Sequence, residues 1–95
     1  MRKGEISARA IDRDWPYQVS LPAATVVRDF NAIEVLRGQL SAAPRGHAYR
    51  LDDVDFVVTC FAVQEHAEIF AATFDGTVIA PGDRPPWRAK GSRHG

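Results

Sequence analysis

Apolar positions recur along the chain in two periods, and the clearest stretch runs from Val54 to Gly76. Phe56-Val57-Val58-Thr59-Cys60-Phe61-Ala62 is an unbroken run of β-branched, aromatic and small residues, the composition of a strand. Side chains alternate along a strand, so Phe56, Val58, Cys60 and Ala62 share one face and Val57, Thr59 and Phe61 the other. Neither face is polar. The sheet therefore needs two covers: a helix layer on one side, and another protomer, a ligand or a tail on the other. After Ala62 the period changes. Val63, Ala67, Phe70, Ala71 and Phe74 recur at spacings of three and four, the stripe of an amphipathic helix, while Gln64, Glu65 and Glu68 fall outside it. Gly76 fits the left-handed position just past that helix, and residues 77–80 return as a strand before Pro81 ends it.

Upstream, Tyr17, Val19 and Leu21 alternate with Gln18 and Ser20, the pattern of a half-buried strand closed by Pro22. Residues 23–41 hold a helix with two admissible starts. One lies near Thr25 and buries Val26, Phe30, Ile33 and Leu40; the other makes Asn31 an N-cap paired with Glu34 in a capping box. The longer version is slightly preferred. Pro44-Arg45-Gly46 is a turn, residues 47–51 read as a strand, and Asp52-Asp53 turns the chain into the strand already described. The order is strand, helix, strand, strand, helix, strand. With right-handed crossovers this predicts an α+β, ferredoxin-like βαββαβ fold, a four-stranded antiparallel sheet with two helices on one face and the other face open. The domain spans residues 13–81. Residues 1–12 show no period and are expected to be a flexible segment; residues 82–95, rich in glycine, proline and basic groups around Trp87, are expected to be a flexible basic tail.

Ninety-five residues, 45% hydrophobic and 25% charged, make one globular domain of modest core. A formal net charge of zero hides a segregation. Residues 14–83 hold four basic groups against ten acidic ones, while residues 84–95 hold four basic groups and no acidic one. An acidic body disfavours nucleic acid, whose affinity comes from neutralising phosphates. No apolar run reaches the roughly 20 residues of a membrane span, and no apolar stretch follows Arg2-Lys3, so the cytoplasm is the expected compartment. The single cysteine can form neither an internal disulfide nor a cysteine-based zinc site. No cofactor and no metal are called for.

Candidate chemistry is sparse. Asp52, Asp53 and Asp55 are dense in carboxylate, but aspartate is a common turn former and a calcium loop needs more ligands at set spacing. His66 lies beside the core stripe of the second helix and would need a partner to act as a base; Glu65, Glu68 and His47 are the ones at hand, and an ordinary half-exposed helix histidine is the plainer reading. Cys60 has no neighbouring base in the sequence and reads as a small buried hydrophobe. Trp15, Tyr17 and Tyr49 suit either a ligand site, with Arg13 or Arg50, or packing.

Two resemblances follow from these residues. DFVVTCFAVQEHAEIFAATFDGTVI resembles the second half of an RNA-recognition motif, in which a strand runs into a helix of the form E-x-A-x-x-F. It departs where that family offers stacking aromatics: Phe56 matches, while Val58 stands at the second aromatic position. The resemblance supports the fold, undermines RNA binding and implies a parity, with Val57, Thr59 and Phe61 toward the helices and Phe56, Val58 and Cys60 on the open face. Asp12 to Val19 and Cys60 to Phe70 also resemble a group of short bacterial proteins, which implies a free-standing small domain. The expected function is a non-catalytic protein-interaction or self-association domain, a homodimer or a binder of a protein partner. It would use the open sheet face of Phe56, Val58, Cys60, Gln18 and Ser20, because an exposed apolar patch marks an interaction site. The alternative is a dimeric small-molecule enzyme or sensor with His66, Trp15 and Tyr49 around its site; degenerate RNA binding comes third.

Overall fold

The structure is a computed structural model and describes residues 7–85. Trp87, His94 and most of the expected tail lie outside the described residues, as do residues 1–6. Within them the chain forms α1 (Ala8–Asp14), β1 (Tyr17–Pro22), α2 (Ala23–Arg28), α3 (Phe30–Gln39), β2 (His47–Leu51), β3 (Val54–Phe61), α4 (Gln64–Phe74) and β4 (Thr77–Ile79), followed by a 3-10 turn over Pro81–Asp83. This is an α+β architecture with one antiparallel sheet in the order β2-β3-β1-β4. The central pair is β1 and β3, in a register that runs from Tyr17 opposite Phe61 to Pro22 opposite Phe56.

The hairpin between β2 and β3 follows from its two aspartates. Leu51 pairs with Val54, which leaves Asp52 and Asp53 as a two-residue loop, and both take positive φ, 53° and 66°. That is the left-handed pair whose twist matches the flanking strands, and aspartate tolerates it because its short side chain bonds locally. Beyond His47 the β2 side departs from a regular ladder. Ala42 bridges to Phe61 and the Ala43 N–H donates to the Cys60 carbonyl at 2.8 Å, so Pro44-Arg45-Gly46 bulges out opposite Thr59 alone. Gly46 is required there: a Cβ would run into the Val58 carbonyl.

One face of the sheet carries the helix layer. Val19, Leu21 and Phe61 are buried with Ile33 of α3 and with Ala67, Phe70, Ala71 and Phe74 of α4. Phe61, Phe70 and Phe74 pack as tilted and edge-on rings with centroids 5.0–5.1 Å apart, an arrangement that suits the ring quadrupoles. The parity that the resemblance to an RNA-recognition motif implies is the observed one, with Phe61 under the helices and Phe56, Val58 and Cys60 on the other face.

Four readings need correction. The helix of residues 23–41 starts at Ala23, directly after Pro22, breaks at Asp29 and resumes at Phe30, so Asn31 lies inside α3 and is no cap, and Phe30 is exposed. At the end of α4 the left-handed residue is Asp75, φ 58°, and not Gly76. Glycine is needed one position later because a Cβ on Gly76 would meet Val19 and Leu21 side-chain atoms at 2.7 and 2.8 Å. Residues 8–12, placed in the segment expected to be flexible, belong to α1 (Ala8–Asp14), with Ser7 Oγ accepting the Ala10 N–H at 3.1 Å as N-cap. Finally, the second face of the sheet is not open: α1 lays a wholly buried Ile11 on it, in a cluster with Ala43, Tyr49, Val58 and Cys60. A seven-residue helix with one buried apolar position has no periodicity to reveal it.

Candidate functional site

The residues expected to form an open binding face are covered by the chain itself. Gln18 and Val58 are 0% exposed, Cys60 1% and Ser20 5%, and Phe56 is half-buried with its ring stacked on Tyr49 at 4.9 Å. The polar groups on this face are paired. Ser20 Oγ and the Tyr49 hydroxyl share a hydrogen bond of 2.7 Å, and Gln18 sits inside a charged network. Asp12 of α1 is the hub of that network. Its Oδ1 accepts from Gln18 Nε2 (2.8 Å), Arg84 Nη1 (2.9 Å) and His47 Nε2 (3.0 Å), and its Oδ2 accepts from Arg84 Nη2 (3.1 Å). Arg84 Nη1 also donates to Gln18 Oε1 at 2.9 Å.

The electrostatics follow from that geometry. The Arg84 guanidinium, with Gln18 and His47 behind it, holds the Asp12 carboxyl at about 2 against the opposition of partial burial. Burial lowers the His47 pKa, and the charge of Arg84 lowers it further, outweighing the attraction of Asp12. Cys60 is pushed up to about 12, first by burial and then by the Asp12 charge, so it offers no thiolate near neutral pH. The grouping of Asp12, His47 and Arg84 escaped the sequence reading, which offered His47 only as a partner for His66, because the three come from separate parts of the chain, and Asp12 and Arg84 stand 72 positions apart.

His66 is taken up elsewhere. Its Nδ1 accepts from the Ser41 N–H (3.0 Å) and pairs with Ser41 Oγ (2.9 Å), while Ser41 Oγ in turn receives the Ala62 and Val63 N–H groups at 3.1 and 3.2 Å. Val63, the N-cap of α4, has no capping side chain, so Ser41 supplies the cap from a distant loop and His66 orients it. Trp15 and Tyr49 belong to the opposite face of the sheet, in the cluster around Ile11, and are not brought together with His66. Among the described residues no group of three or more histidine, cysteine, aspartate or glutamate side chains could hold a metal ion, and no helix is long and apolar enough to cross a membrane.

Two surfaces remain accessible. The first is on the helix layer: a groove of about 420 Å³ between α3 and α4, lined among others by Ala32, Val35, Leu36 and Phe74. On α2 and α3, Val27, Phe30 and Val35 are 79%, 54% and 62% exposed. The second is a cleft of about 830 Å³ around the Pro44-Arg45-Gly46 bulge. Compared with known proteins, the chain matches no family model, no curated protein and no solved structure.

Proposed function

We propose that the chain is a ferredoxin-like domain that acts without catalysis, as a self-associating module that pairs through its helix layer. The fold assignment is supported by the strand order, which from the other edge reads 4-1-3-2, with the two central strands each followed by helix. The split of the first helix and the added α1 are elaborations of that plan. An RNA-binding role is disfavoured, because the sheet face on which RNA-recognition motifs stack bases is occupied here by Ile11.

One observation carries the association reading: Val27, Phe30 and Val35 are the most exposed large apolar side chains among the described residues, and they stand on α2 and α3, of which α3 forms one wall of the α3–α4 groove. Projecting apolar groups and a groove to receive them on one surface are what a two-fold dimer requires, since the same patch must complement itself. The formal net charge of zero sets no long-range repulsion between copies. The pairing surface thus lies on the side opposite the sheet face proposed from sequence.

The test is the solution mass of the full chain by light scattering over a wide concentration range, with Phe30→Asp and Val35→Glu alongside. A dimer that both substitutions return to a monomer of unchanged circular dichroism is the expected result. A monomer at every concentration, or a dimer indifferent to both substitutions, overturns the reading.

A further inference from the structure

The cleft around the bulge is independent of the helix-layer surface, and it opens on both faces of the sheet. On the α1 side it reaches His47 and Arg84; on the helix side it lies between Val26 and Ile33 of α2 and α3 and the β3 residues Val57 and Thr59. The helix-side part exists because the β2 side leaves a gap. Pro44-Arg45-Gly46 departs from the ladder, so Gly46, which has no side chain, stands by Thr59, and only Ala48 stands opposite Val57.

Charge decides what this space can take. Every charged side chain in the lining is already engaged. Arg37 donates to Glu34 at 3.0 and 3.1 Å and to the Ala43 carbonyl at 3.0 Å, Arg84 and His47 are both bonded to Asp12, and Arg45 is not free either. A charged ligand would have to break one of these pairs or stay unanswered beside them, and burying an unpaired charge is costly. Thr59 differs. It is 8% exposed, and its hydroxyl has no hydrogen-bond partner among the described residues, where a buried hydroxyl ordinarily has one. Arg50 Nε is the one fully occluded side-chain polar atom without a partner among these residues, so the Thr59 hydroxyl is not sealed in and reaches the cleft that Thr59 lines. A hydroxyl both donates and accepts, which suits an alcohol, an amide or a carbonyl equally.

We infer that the helix-side part of the cleft binds a small uncharged molecule with an apolar body and one hydrogen-bonding group, the body lying on Val26, Ile33 and Val57 and the polar group on Thr59 Oγ1. Small-molecule sites combine mostly apolar walls with a few polar groups that fix orientation, and here the walls are the three aliphatic side chains and the polar group is the single hydroxyl.

The experiment is an NMR titration of the full chain with benzyl alcohol, toluene and benzoate, following the methyl groups of Val26, Ile33 and Val57. Benzyl alcohol should give saturable shifts there, with intermolecular Overhauser contacts to the same methyls, and benzoate should bind about tenfold or more weakly because its charge finds no free partner. Thr59→Val keeps the shape and removes the hydroxyl. It should weaken benzyl alcohol about three- to tenfold, the scale of one neutral hydrogen bond, and leave toluene no weaker, while Thr59→Ser keeps the affinity for the alcohol. The assignment is overturned by absence of saturable shifts at these methyls, by benzoate binding as tightly as the alcohol, by a Thr59→Val variant that binds the alcohol unchanged, or by one that loses toluene to the same degree. The benzoate comparison and the Overhauser contacts on the unaltered chain decide the matter even where Thr59→Val fails to fold.

Discussion

The two faces of one sheet are built on different principles. Under the helices the cluster is apolar: Val19, Leu21, Phe61, Phe70 and Phe74 meet there, with Thr59 the one buried polar residue of β3 on that face. Over the other face lies a short helix whose one buried residue, Ile11, shares the space with Gln18, Ser20, Tyr49 and the Asp12–Arg84 pair. The first face is held by area, which tolerates small shifts; the second is held by hydrogen bonds whose partners must all be present. The difference teaches where substitutions will unfold the protein and where they will only release its cover.

The largest effects belong to the buried centre of β3. Val58 is wholly buried, so Val58→Asp places an unpaired carboxylate in the core and is expected to unfold the chain outright, seen as loss of far-ultraviolet circular dichroism. A folded Val58→Asp variant would mean that α1 lifts away readily and that the second face is open in solution after all. Phe61→Ala, on the helix side, is expected to cost about 3–5 kcal/mol by cavity formation, and denaturant titration measures it.

Ile11→Ala sharpens the contrast. The side chain is as buried as Phe61, but it belongs to a seven-residue helix too short to persist on its own. The expected cost is about 2–3 kcal/mol, with hydrogen exchange accelerated over α1 and the part of β3 that it covers while α4 keeps its protection. Uniform acceleration across α1 and α4 would show that the two faces unfold as one unit.

The charged network sets an acid dependence whose sign can be worked out. Asp12 is held at about 2 against an ordinary 3.8, chiefly by Arg84. A depressed carboxyl stabilises the fold fully above its ordinary value, and that stability drains as the pH falls toward the folded one. His47, lowered from 6.5 chiefly by burial, also favours the fold when neutral, so its contribution is complete above that value and declines in acid below it. Both groups therefore weaken the α1 cover on the acid side and neither does so on the alkaline side. Arg84→Ala is expected to cost about 1–2 kcal/mol at neutral pH and to raise the titration of both Asp12 and His47. An unchanged His47 titration by NMR would remove Arg84 from the network.

What was legible in the sequence tracks the same division. The strand and helix of residues 54–76 and the β2–β3 turn follow from periods and from turn chemistry, which are local, while the inward parity of Phe61 came from the resemblance to an RNA-recognition motif. The cover on the second face was demanded by the apolar character of Phe56, Val58 and Cys60, but its identity was not legible. A lone Ile11 on a short helix carries no period, and Asp12 meets Arg84 only after the whole sheet has formed. Gln18 and Ser20 look like the solvent side of a half-buried strand, yet both are buried because each finds a partner, Asp12 and Tyr49 respectively. The groove and the bulge cleft were missed for a related reason, since one depends on how α3 meets α4 and the other on three residues leaving a ladder.

The smallest expected effect concerns the loop that ties the two halves of the helix layer together. Ser41 Oγ accepts the Ala62 and Val63 N–H groups where β3 ends and α4 begins, the Ala62 N–H also reaching the Ser41 carbonyl at 3.2 Å, and the same Oγ pairs with His66 Nδ1 at 2.9 Å. Ser41→Ala should therefore cost about 1 kcal/mol, the size of a lost N-cap, although Ser41 lies more than twenty residues from the helix it caps. His66→Ala removes the acceptor but leaves the serine oxygen free to receive both amides, so its cost should be smaller than that of Ser41→Ala. The reverse ranking in a denaturant titration would mean that His66 holds the loop through its own packing, and that the serine merely follows it.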